Sequence, residues 1–263
     1  MEIADKVAVV TGASMGIGEA IAKAFVDEGA NVVLLSRDAG RSEAARVRIG
    51  QMERTLALAC DVRHPEEIDR AISLTMRHFH RIDICVNNAG HGLVESLAKM
   101  EMSDCRELFE TNLFGTISAM QAVIPVMKEQ GGGTIINISS VAGHIPLAYG
   151  AAYSGSKFAM NAMGKAARIE LRKRNINVLT VCPGYVRTDF SSNAVRGPDT
   201  QRVRPSAIRG ISPERVARAT LEGYRRRKRE VIVPWTMIPV VKLYQLFPAV
   251  VEQAMLRMAK PAD

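Results

Sequence analysis

Two short segments of this sequence carry residue types and spacings that can do chemistry. The first is TGASMGIG at residues 11–18, and the second is AYSGSKF, in which Tyr153 and Lys157 stand four residues apart. In a helix this spacing places both side chains on one face. A tyrosine has a pKa of about 10, and moving it by roughly 3 units takes about 4 kcal/mol. An ammonium about 4 Å away, at an effective dielectric of ~20, supplies about that much, so the pair predicts a proton-exchanging tyrosine.

The glycine-rich segment admits two interpretations. Gly12 to Gly16 fits the G-x-S-x-G elbow of serine hydrolases, with Ser14 as nucleophile. Gly12, Gly16 and Gly18 also fit a turn that holds a dinucleotide pyrophosphate. The turn follows the first predicted strand and leads into a helix, whose N-terminus offers N–H donors and a positive dipole. This early position favours the phosphate interpretation.

Two further polar residues fit the same chemistry. Ser140 follows a predicted strand upstream of Tyr153, where a hydroxyl can hold a carbonyl oxygen. Asn112 lies in an apolar helical stretch, which indicates a specific hydrogen bond. Each residue alone has an ordinary explanation, as a surface neighbour, a helix cap or a solvated amide. Their joint occurrence favours catalysis.

The elements that must position these residues alternate along the chain. Short runs rich in Val, Ile and Leu predict strands buried on both faces at 6–10, 31–36, 55–60, 82–88, 133–140 and 176–182. Stretches with helical spacing lie between them: one ends on Gly29, one opens on Pro65, and a long one over 103–130 closes on Gly131. The pattern predicts an α/β fold with a parallel sheet, helices on both sides, and ligands outside the carboxyl ends of the strands.

The domain organisation follows from the absence of any visible linker or repeat. We expect one catalytic domain over residues 1–235 and a C-terminal apolar helical extension over 236–263. An Arg-rich loop at 184–212 interrupts the pattern where a substrate lid would sit.

Composition excludes several other classes of protein. The four cysteines, Cys60, Cys85, Cys105 and Cys182, lie far apart, and the histidines are scattered, so we expect neither disulfides nor a metal site. The N-terminus carries no export signal, which favours a cytoplasmic protein.

The chain resembles the short-chain dehydrogenase/reductase family over roughly residues 5–235. The motifs that match in order and spacing are TGASMGIG, Asp61, NNAG at 87–90, Asn112, Ser140, Tyr153-x-x-x-Lys157 and PGYVRT at 183–188. The resemblance implies a single doubly wound Rossmann domain with a central parallel sheet of about seven strands. It also implies an oxidoreductase that moves hydride between a nicotinamide cofactor and a secondary alcohol or ketone.

The resemblance assigns roles to individual residues. Tyr153 is the expected general acid or base, Lys157 lowers its pKa and binds the ribose, Ser140 positions the carbonyl or hydroxyl, and Asn112 holds a water in the proton relay. The pyrophosphate would contact Gly12, Ser14, Met15, Gly16, Ile17 and Gly18. The remaining cofactor contacts would be Asp61 and Val62 at the adenine, Asn88, Ala89 and Gly90 at the adenosine side, and Pro183, Gly184, Val186 and Thr188 at the nicotinamide.

Cofactor choice depends on the end of the second strand. Many NAD-dependent relatives carry an acid there that binds the ribose 2′-hydroxyl, but this chain has Ser36 and Arg37. A hydroxyl and a guanidinium suit a 2′-phosphate, so we predict NADP(H), with NAD(H) as the alternative. Met15, where many NADP-preferring relatives have a basic residue, and the acid at Asp38 argue against this choice.

The C-terminal extension carries an apolar stripe with three alternative uses. Its members are Val240, Leu243, Tyr244, Phe247, Val250, Val251, Ala254, Met255 and Met258. It can pack on the domain or a second subunit, cover a bulky lipophilic substrate such as a steroid, fatty-acyl or long-chain carbonyl compound, or contact a membrane surface peripherally through 225–260, with RRRKR facing anionic lipid. Pro239 and Pro248 exclude a transmembrane span.

Other partners follow from the same residues. RRRKR lacks stacking aromatic residues, so no nucleic-acid partner is expected. The resemblance implies a homodimer or homotetramer formed through helices near 103–130 and 153–173. A nicotinamide-nucleotide sensor or scaffold without turnover is the alternative function, and a hydrolase using Ser14 is a remote third.

Overall fold

A parallel sheet forms the centre of the molecule. The computed structural model describes residues 1–197, 200 and 210–258. The strands of the main sheet are β1 (Val7–Thr11), β2 (Asn31–Ser36), β3 (Thr55–Ala59), β4 (Ile84–Asn87), β6 (Gly133–Ile138), β7 (Ile176–Pro183) and β9 (Glu230–Val233). They are hydrogen-bonded in the order β3-β2-β1-β4-β6-β7-β9, and every pairing is parallel. The predicted doubly wound α/β fold is confirmed.

Helices cover both faces of this sheet. They are α1 (Gly16–Asp27), α2 (Ala39–Ile49), α3 (Pro65–Phe79), α4 (Met102–Phe109), α5 (Gly115–Glu129), α6 (Ala151–Leu171) and α7 (Pro213–Arg225), followed by α8 (Met237–Leu246) and α9 (Pro248–Met258). A second, small parallel sheet pairs β5 (Leu93–Val94) with β8 (Val195–Arg196).

The apolar runs are continuous because each inner strand contributes side chains to two hydrophobic cores, one on each face of the sheet. In β1, Val10 packs with Phe25 of α1 in one core, while the neighbouring Val9 packs with Val123 of α5 in the other. Successive side chains of a strand point to opposite faces, so a strand covered on both sides needs apolar residues at every position. β3 differs from the prediction of burial on both faces: it is the edge of the sheet, and its middle residues are half-buried.

Two of the departures from the sequence prediction bear on the site. The long helix predicted over 103–130 is divided by a π-helical turn at Glu110–Phe114, which contains Asn112. The strand predicted to reach residue 140 ends at Ile138, because Ser140 begins a short 3₁₀ turn, Val141–Gly143. Both departures lie where polar side chains predicted to act in catalysis are placed.

The described part of the C-terminal extension buries fewer side chains than the predicted apolar stripe contains. Among its described residues, the buried ones are Val241 and Val251, which pack in one cluster with Val141 and Ile145 beside Ser140. Val241 was not in the predicted stripe, while Leu243, Phe247 and Val250 are exposed. Pro248 ends one helix and starts the next, so the side chains do not form a single straight row. None of the described helices is long and apolar enough to cross a membrane.

Candidate active site

The glycine-rich turn is shaped by backbone geometry that only glycine fits easily. Gly12 and Gly16 have φ angles of 64° and 60°, in the left-handed region. A Cβ on Gly18 would lie 2.2 Å from the carbonyl oxygen of Gly12. Met15 precedes α1 without capping it through its side chain, and the first-turn N–H groups of α1 face this turn. The turn therefore fits a pyrophosphate, and Ser14, Met15 and Ile17 all lie on it.

The NNAG segment is fastened to the same turn. The Thr11 hydroxyl accepts hydrogen bonds from the amides of Asn88 and Ala89, both at 3.0 Å. The side chain of Asn88 donates to the carbonyls of Thr11 and Gly12, also at 3.0 Å. These bonds join the carboxyl ends of β1 and β4, where a doubly wound sheet binds its ligands.

The end of β2 is surrounded by arginines. Ser36 donates to the carbonyl of Asp38 at 2.9 Å and shares a 2.7 Å hydrogen bond with Ser42. Arg37 is exposed, and its charge reaches Asp61 and His91. Arg48 donates to the carbonyl of Ser14 at 3.1 Å. The Glu19 carboxylate pairs with Arg48 at 2.7 Å, so the charge of Arg48 beside the glycine-rich turn is offset.

The predicted adenine contacts, Asp61 and Val62, follow β3. The Asp61 carboxylate is bound by the guanidinium of Arg63 at 2.6 Å. Burial alone would raise the pKa of Asp61, but the hydrogen bonds from Arg63 hold it below its usual range. Val62 packs against Gly115, where a Cβ would come within 2.7 Å of it. Asp61 is therefore ionised and fixed in position.

Ser140, Tyr153 and Lys157 converge at the carboxyl end of β6. Tyr153 and Lys157 lie one turn apart on α6, with the Lys157 Nζ 5.8 Å from the centre of the tyrosine ring. The Ser140 hydroxyl accepts from the amide of Ala142 at 3.0 Å and approaches the carbonyl of Pro183 at 3.5 Å. A hydrogen bond between Ser140 and Tyr153 acts to lower the tyrosine's pKa. The fold thus brings the three residues together.

The electrostatics of the pair differ from the sequence expectation. Burial raises the pKa of Tyr153 to about 12, against the opposing hydrogen bond with Ser140. Burial also lowers the pKa of Lys157 to about 8, and its ammonium donates to the carbonyl of Ile138 at 3.0 Å. The expected lowering of the tyrosine's pKa by Lys157 is therefore not found in the protein alone, because the ammonium is directed at a carbonyl rather than at the phenol.

Asn112 is buried and joins α6, which carries Tyr153 and Lys157, to the segment that follows NNAG. Its carboxamide binds the amide and the carbonyl of His91, and its Nδ2 lies 3.4 Å from the Ser156 hydroxyl on α6. A Cβ on Gly90 would come within 2.9 Å of the Asn112 Oδ1. A π-helical turn often marks a functional site, and here it carries the predicted relay residue.

The predicted nicotinamide turn, Pro183–Thr188, follows β7. The Gly184 amide donates to the carbonyl of Val233 at 2.7 Å, and Val186 bridges to Ile211. The methyl group of Thr188 lies 3.3 Å from the position of a Cβ on Gly16, so this turn closes onto the phosphate turn. Of the predicted lid 184–212, residues 198–199 and 201–209 lie outside the described residues, as do 259–263 of the extension.

Sequence reasoning missed two features beside this site. Phe190 stacks at an angle on Tyr153, with ring centres 5.8 Å apart, and is 40% exposed. His144, Cys182 and Glu230 gather in a cluster behind Ser140, although no metal-ligand spacing links them. An aromatic residue shortly after PGYVRT was the available signal for Phe190. The cluster had none, because its members come from three distant segments.

Comparison with known proteins gives the same family as the motifs. The family model for short chain dehydrogenases matches residues 6–199. Dehydrogenase/reductase SDR family member 7B of Danio rerio is 31% identical over 269 residues, which cover 98% of this chain and 87% of the relative.

Two solved structures are similar throughout. A short-chain dehydrogenase from Streptomyces avermitilis has a TM-score of 0.85 and 27% identity, covering 98% of this chain and 99% of that one. The 3-ketoacyl-(acyl-carrier-protein) reductase from Brucella melitensis, solved with NADH, has a TM-score of 0.80 and 28% identity, covering 88% and 97%. The chain belongs to the short-chain dehydrogenase family and is an NAD(P)-dependent oxidoreductase.

Proposed function

We propose that Tyr153 exchanges a proton with the oxygen of a secondary alcohol or ketone. The observation that carries this is the convergence of Tyr153 with Ser140, whose hydroxyl is held by the Ala142 amide and so points in a fixed direction. With a pKa raised to about 12, Tyr153 is protonated at neutral pH and ready to donate to a carbonyl that is being reduced.

The neighbouring residues support this transfer. Ser140 orients the carbonyl oxygen, Lys157 binds the ribose, and Asn112 positions a water that replaces the proton of Tyr153. When bound, the nicotinamide cofactor supplies or accepts the hydride. In the oxidising direction Tyr153 must lose its proton, and the Lys157 ammonium, one turn away on the same helix, would favour the phenolate once it is directed at the phenol rather than at the Ile138 carbonyl.

The proposed cofactor is NADP(H). Arg37 supports it, because the side chain is exposed directly after β2, whose Leu35 carbonyl accepts from the Ala13 amide of the glycine-rich turn, and no acid occupies the end of that strand, where Ser36 stands. Asp38 caps α2 through the amide of Arg41 and forms a 3.7 Å ion pair with it, so its charge is partly offset. The 2′-phosphate would form charge-assisted hydrogen bonds with Arg37.

The proposed substrate is bulky and lipophilic. Phe190 covers one side of Tyr153, and Met237 of α8 lies next to Gly184 on the nicotinamide turn. Trp235, 68% exposed, and Ile238 extend this apolar surface into the C-terminal extension. We expect Phe190→Ala to lower kcat/KM for long-chain or steroidal ketones far more than for small ones. Equal losses across such a panel would refute the lipophilic class.

Self-association through α4 to α6 is the proposed quaternary contact. Apolar side chains lie exposed along these helices, including Met102, Phe114, Phe158 and Ile169. Exposed apolar side chains of this kind are suited to burial against a second subunit. Light scattering after size-exclusion chromatography should show a dimer or tetramer that Ile169→Glu dissociates, and a monomeric wild type would refute the proposal.

The catalytic role is tested by removing one hydroxyl. Tyr153→Phe should lower kcat by at least about 100-fold, because it deletes the proton donor, while NADPH affinity changes little. Tyr149→Phe is the matched control, since it removes a phenol from the segment just before α6. Normal turnover by Tyr153→Phe would refute the assignment. If the wild type binds NADPH but turns over no carbonyl in the panel, the sensor or scaffold alternative gains support.

A further inference from the structure

A buried set of three metal-binding side chains lies behind the proposed catalytic residues. His144 follows the 3₁₀ turn that Ser140 begins, Cys182 is on β7 immediately before Pro183, and Glu230 is the first residue of β9. Their ligand atoms all lie within 4.8 Å of one another. His144 and Cys182 are almost fully buried, and Glu230 is half-buried.

The distances match those of a tetrahedral zinc site. The His144 Nε2 is 3.5 Å from the Cys182 Sγ and 3.2 Å from the Glu230 Oε1. Zinc bonds of about 2.3 Å to sulfur and about 2.0 Å to nitrogen and oxygen place sulfur and nitrogen about 3.5 Å apart and nitrogen and oxygen about 3.3 Å apart. Two of the three distances between ligand atoms therefore already have the length that a tetrahedral zinc ion requires.

Hydrogen bonding leaves this cluster incompletely satisfied. The Glu230 Oε1 is buried and lies 3.2 Å from the His144 Nε2, an ion-pair contact whose geometry is poor for a hydrogen bond. The same His144 nitrogen is approached at 3.5 Å by the side-chain amide of Asn161, which already donates to the carbonyl of Gly143 at 2.8 Å. With His144 protonated on Nδ1 and Cys182 deprotonated, lone pairs of nitrogen, oxygen and sulfur would face one point, which is the arrangement that zinc binds.

The surrounding charges are compatible with a divalent ion. A Cys182 thiolate and the Glu230 carboxylate would together neutralise Zn²⁺, so the bound cluster carries no net charge. Burial raises the pKa of the Cys182 thiol, and the charge of Glu230 adds to that rise, so binding of the ion would have to displace the thiol proton.

We propose that His144, Cys182 and Glu230 form a structural zinc site. The ion would join β7, β9 and the turn that follows Ser140. The fourth ligand of the zinc ion would be a water or the Asn161 Oδ1, which lies 3.9 Å from the Cys182 Sγ. None of the three ligands belongs to the glycine-rich turn. The role of the ion would therefore be structural: it would hold in place the backbone that carries Ser140 and Pro183.

Cobalt provides the direct test. The purified full-length protein, without a histidine tag, is stripped with a chelator and titrated with Co²⁺ alone. We expect the visible bands of tetrahedral cobalt and a near-ultraviolet charge-transfer band from thiolate, both displaced by about one Zn²⁺ per chain. Cobalt bound without the thiolate band, as at the exposed His64, His78 or His80, would overturn the proposal, and so would the absence of binding.

Matched variants locate the ligands. Cys182→Ser should abolish the charge-transfer band, while Cys60→Ser, which changes a buried cysteine elsewhere, should keep it. Glu230→Gln, at the partly exposed edge strand, should weaken zinc binding at least about tenfold and reduce the rise in Tm caused by zinc. If Cys182→Ser fails to fold, Glu230→Gln still decides: unchanged zinc affinity in that variant would overturn the site.

Discussion

The carboxamide of Asn112 binds both backbone groups of His91: its Oδ1 accepts from the amide at 2.9 Å, and its Nδ2 donates to the carbonyl at 3.0 Å. This pairing connects the π-helical turn to the segment that follows NNAG. It also uses both ends of the amide, so a residue of the same shape but without the N–H donors cannot replace it.

Asn112→Asp tests this two-point contact. The carboxylate keeps the bond from the His91 amide but places an oxygen against the His91 carbonyl, in a buried position. We expect the free energy of unfolding to fall by about 1–3 kcal/mol, measured by urea unfolding. Asn193→Asp, on an exposed loop, should change it by less than about 0.5 kcal/mol. Equal stability of the two variants would contradict the structural role.

The glycine-rich turn yields a second prediction. Gly18→Ala adds a methyl group 2.2 Å from the Gly12 carbonyl oxygen, which belongs to backbone and cannot rotate away. The displaced turn should bind NADPH at least about tenfold more weakly in a fluorescence titration, since overpacking costs about 1–3 kcal/mol. Gly155→Ala is the control on α6, because its methyl meets nothing closer than 3.6 Å from Phe109. Unchanged affinity in Gly18→Ala would show that the turn does not hold the cofactor.

Cofactor preference depends on one guanidinium. Arg37→Ala should lower kcat/KM with NADPH by about 10- to 100-fold, the effect of a lost charge-assisted hydrogen bond, and leave the value with NADH nearly unchanged. Arg41→Ala removes a neighbouring exposed arginine that is paired with Asp38 and should preserve the preference. If wild-type efficiency with the two nucleotides is equal, the NADP(H) proposal fails.

The order of the elements was predictable from sequence because burial on both faces gives each inner strand an unbroken apolar run. The run at 31–36 matches β2 at both ends. The edge strand β3 was not recognised as an edge, since Leu56 and Leu58 look the same whether or not a helix fully covers them. The hydrophobic pattern shows which residues are apolar. Whether a strand is buried depends on the strands and helices that the fold places next to it.

The finer geometry of the site was not predictable for a related reason. Spacing placed Tyr153 and Lys157 on one helix face, but nothing in the sequence showed that the lysine amine is directed at the Ile138 carbonyl. Likewise, the stripe in the C-terminal extension followed helical periodicity and missed Val241, because α8 packs on the face that carries Val241 and leaves Val240 and Leu243 exposed. The periodicity of a segment shows which side chains share a helix face. The residues that those side chains contact are determined by the tertiary structure.

The buried Lys157 makes the free energy of unfolding depend on pH. Its pKa is about 8 in the folded protein and 10.5 as the ordinary value, so folding disfavours its charged form. The penalty is fully present below pH 8 and disappears as the pH rises towards 10.5, where the unfolded chain also loses the proton. Over this range the wild type should gain about 3 kcal/mol relative to Lys157→Met, which has no such proton.

Chemical unfolding of both proteins between pH 7 and pH 10 measures that difference. At neutral pH the variant is relieved of the buried charge but leaves the Ile138 carbonyl without its donor, a cost of about 1–3 kcal/mol, so the two stabilities should be similar there. Lys23→Met, at a lysine that is 53% exposed and paired with Asp27, is the control and should track the wild type at every pH. Parallel curves for wild type and Lys157→Met would mean that the buried amine stays charged over this range and that burial does not lower its pKa.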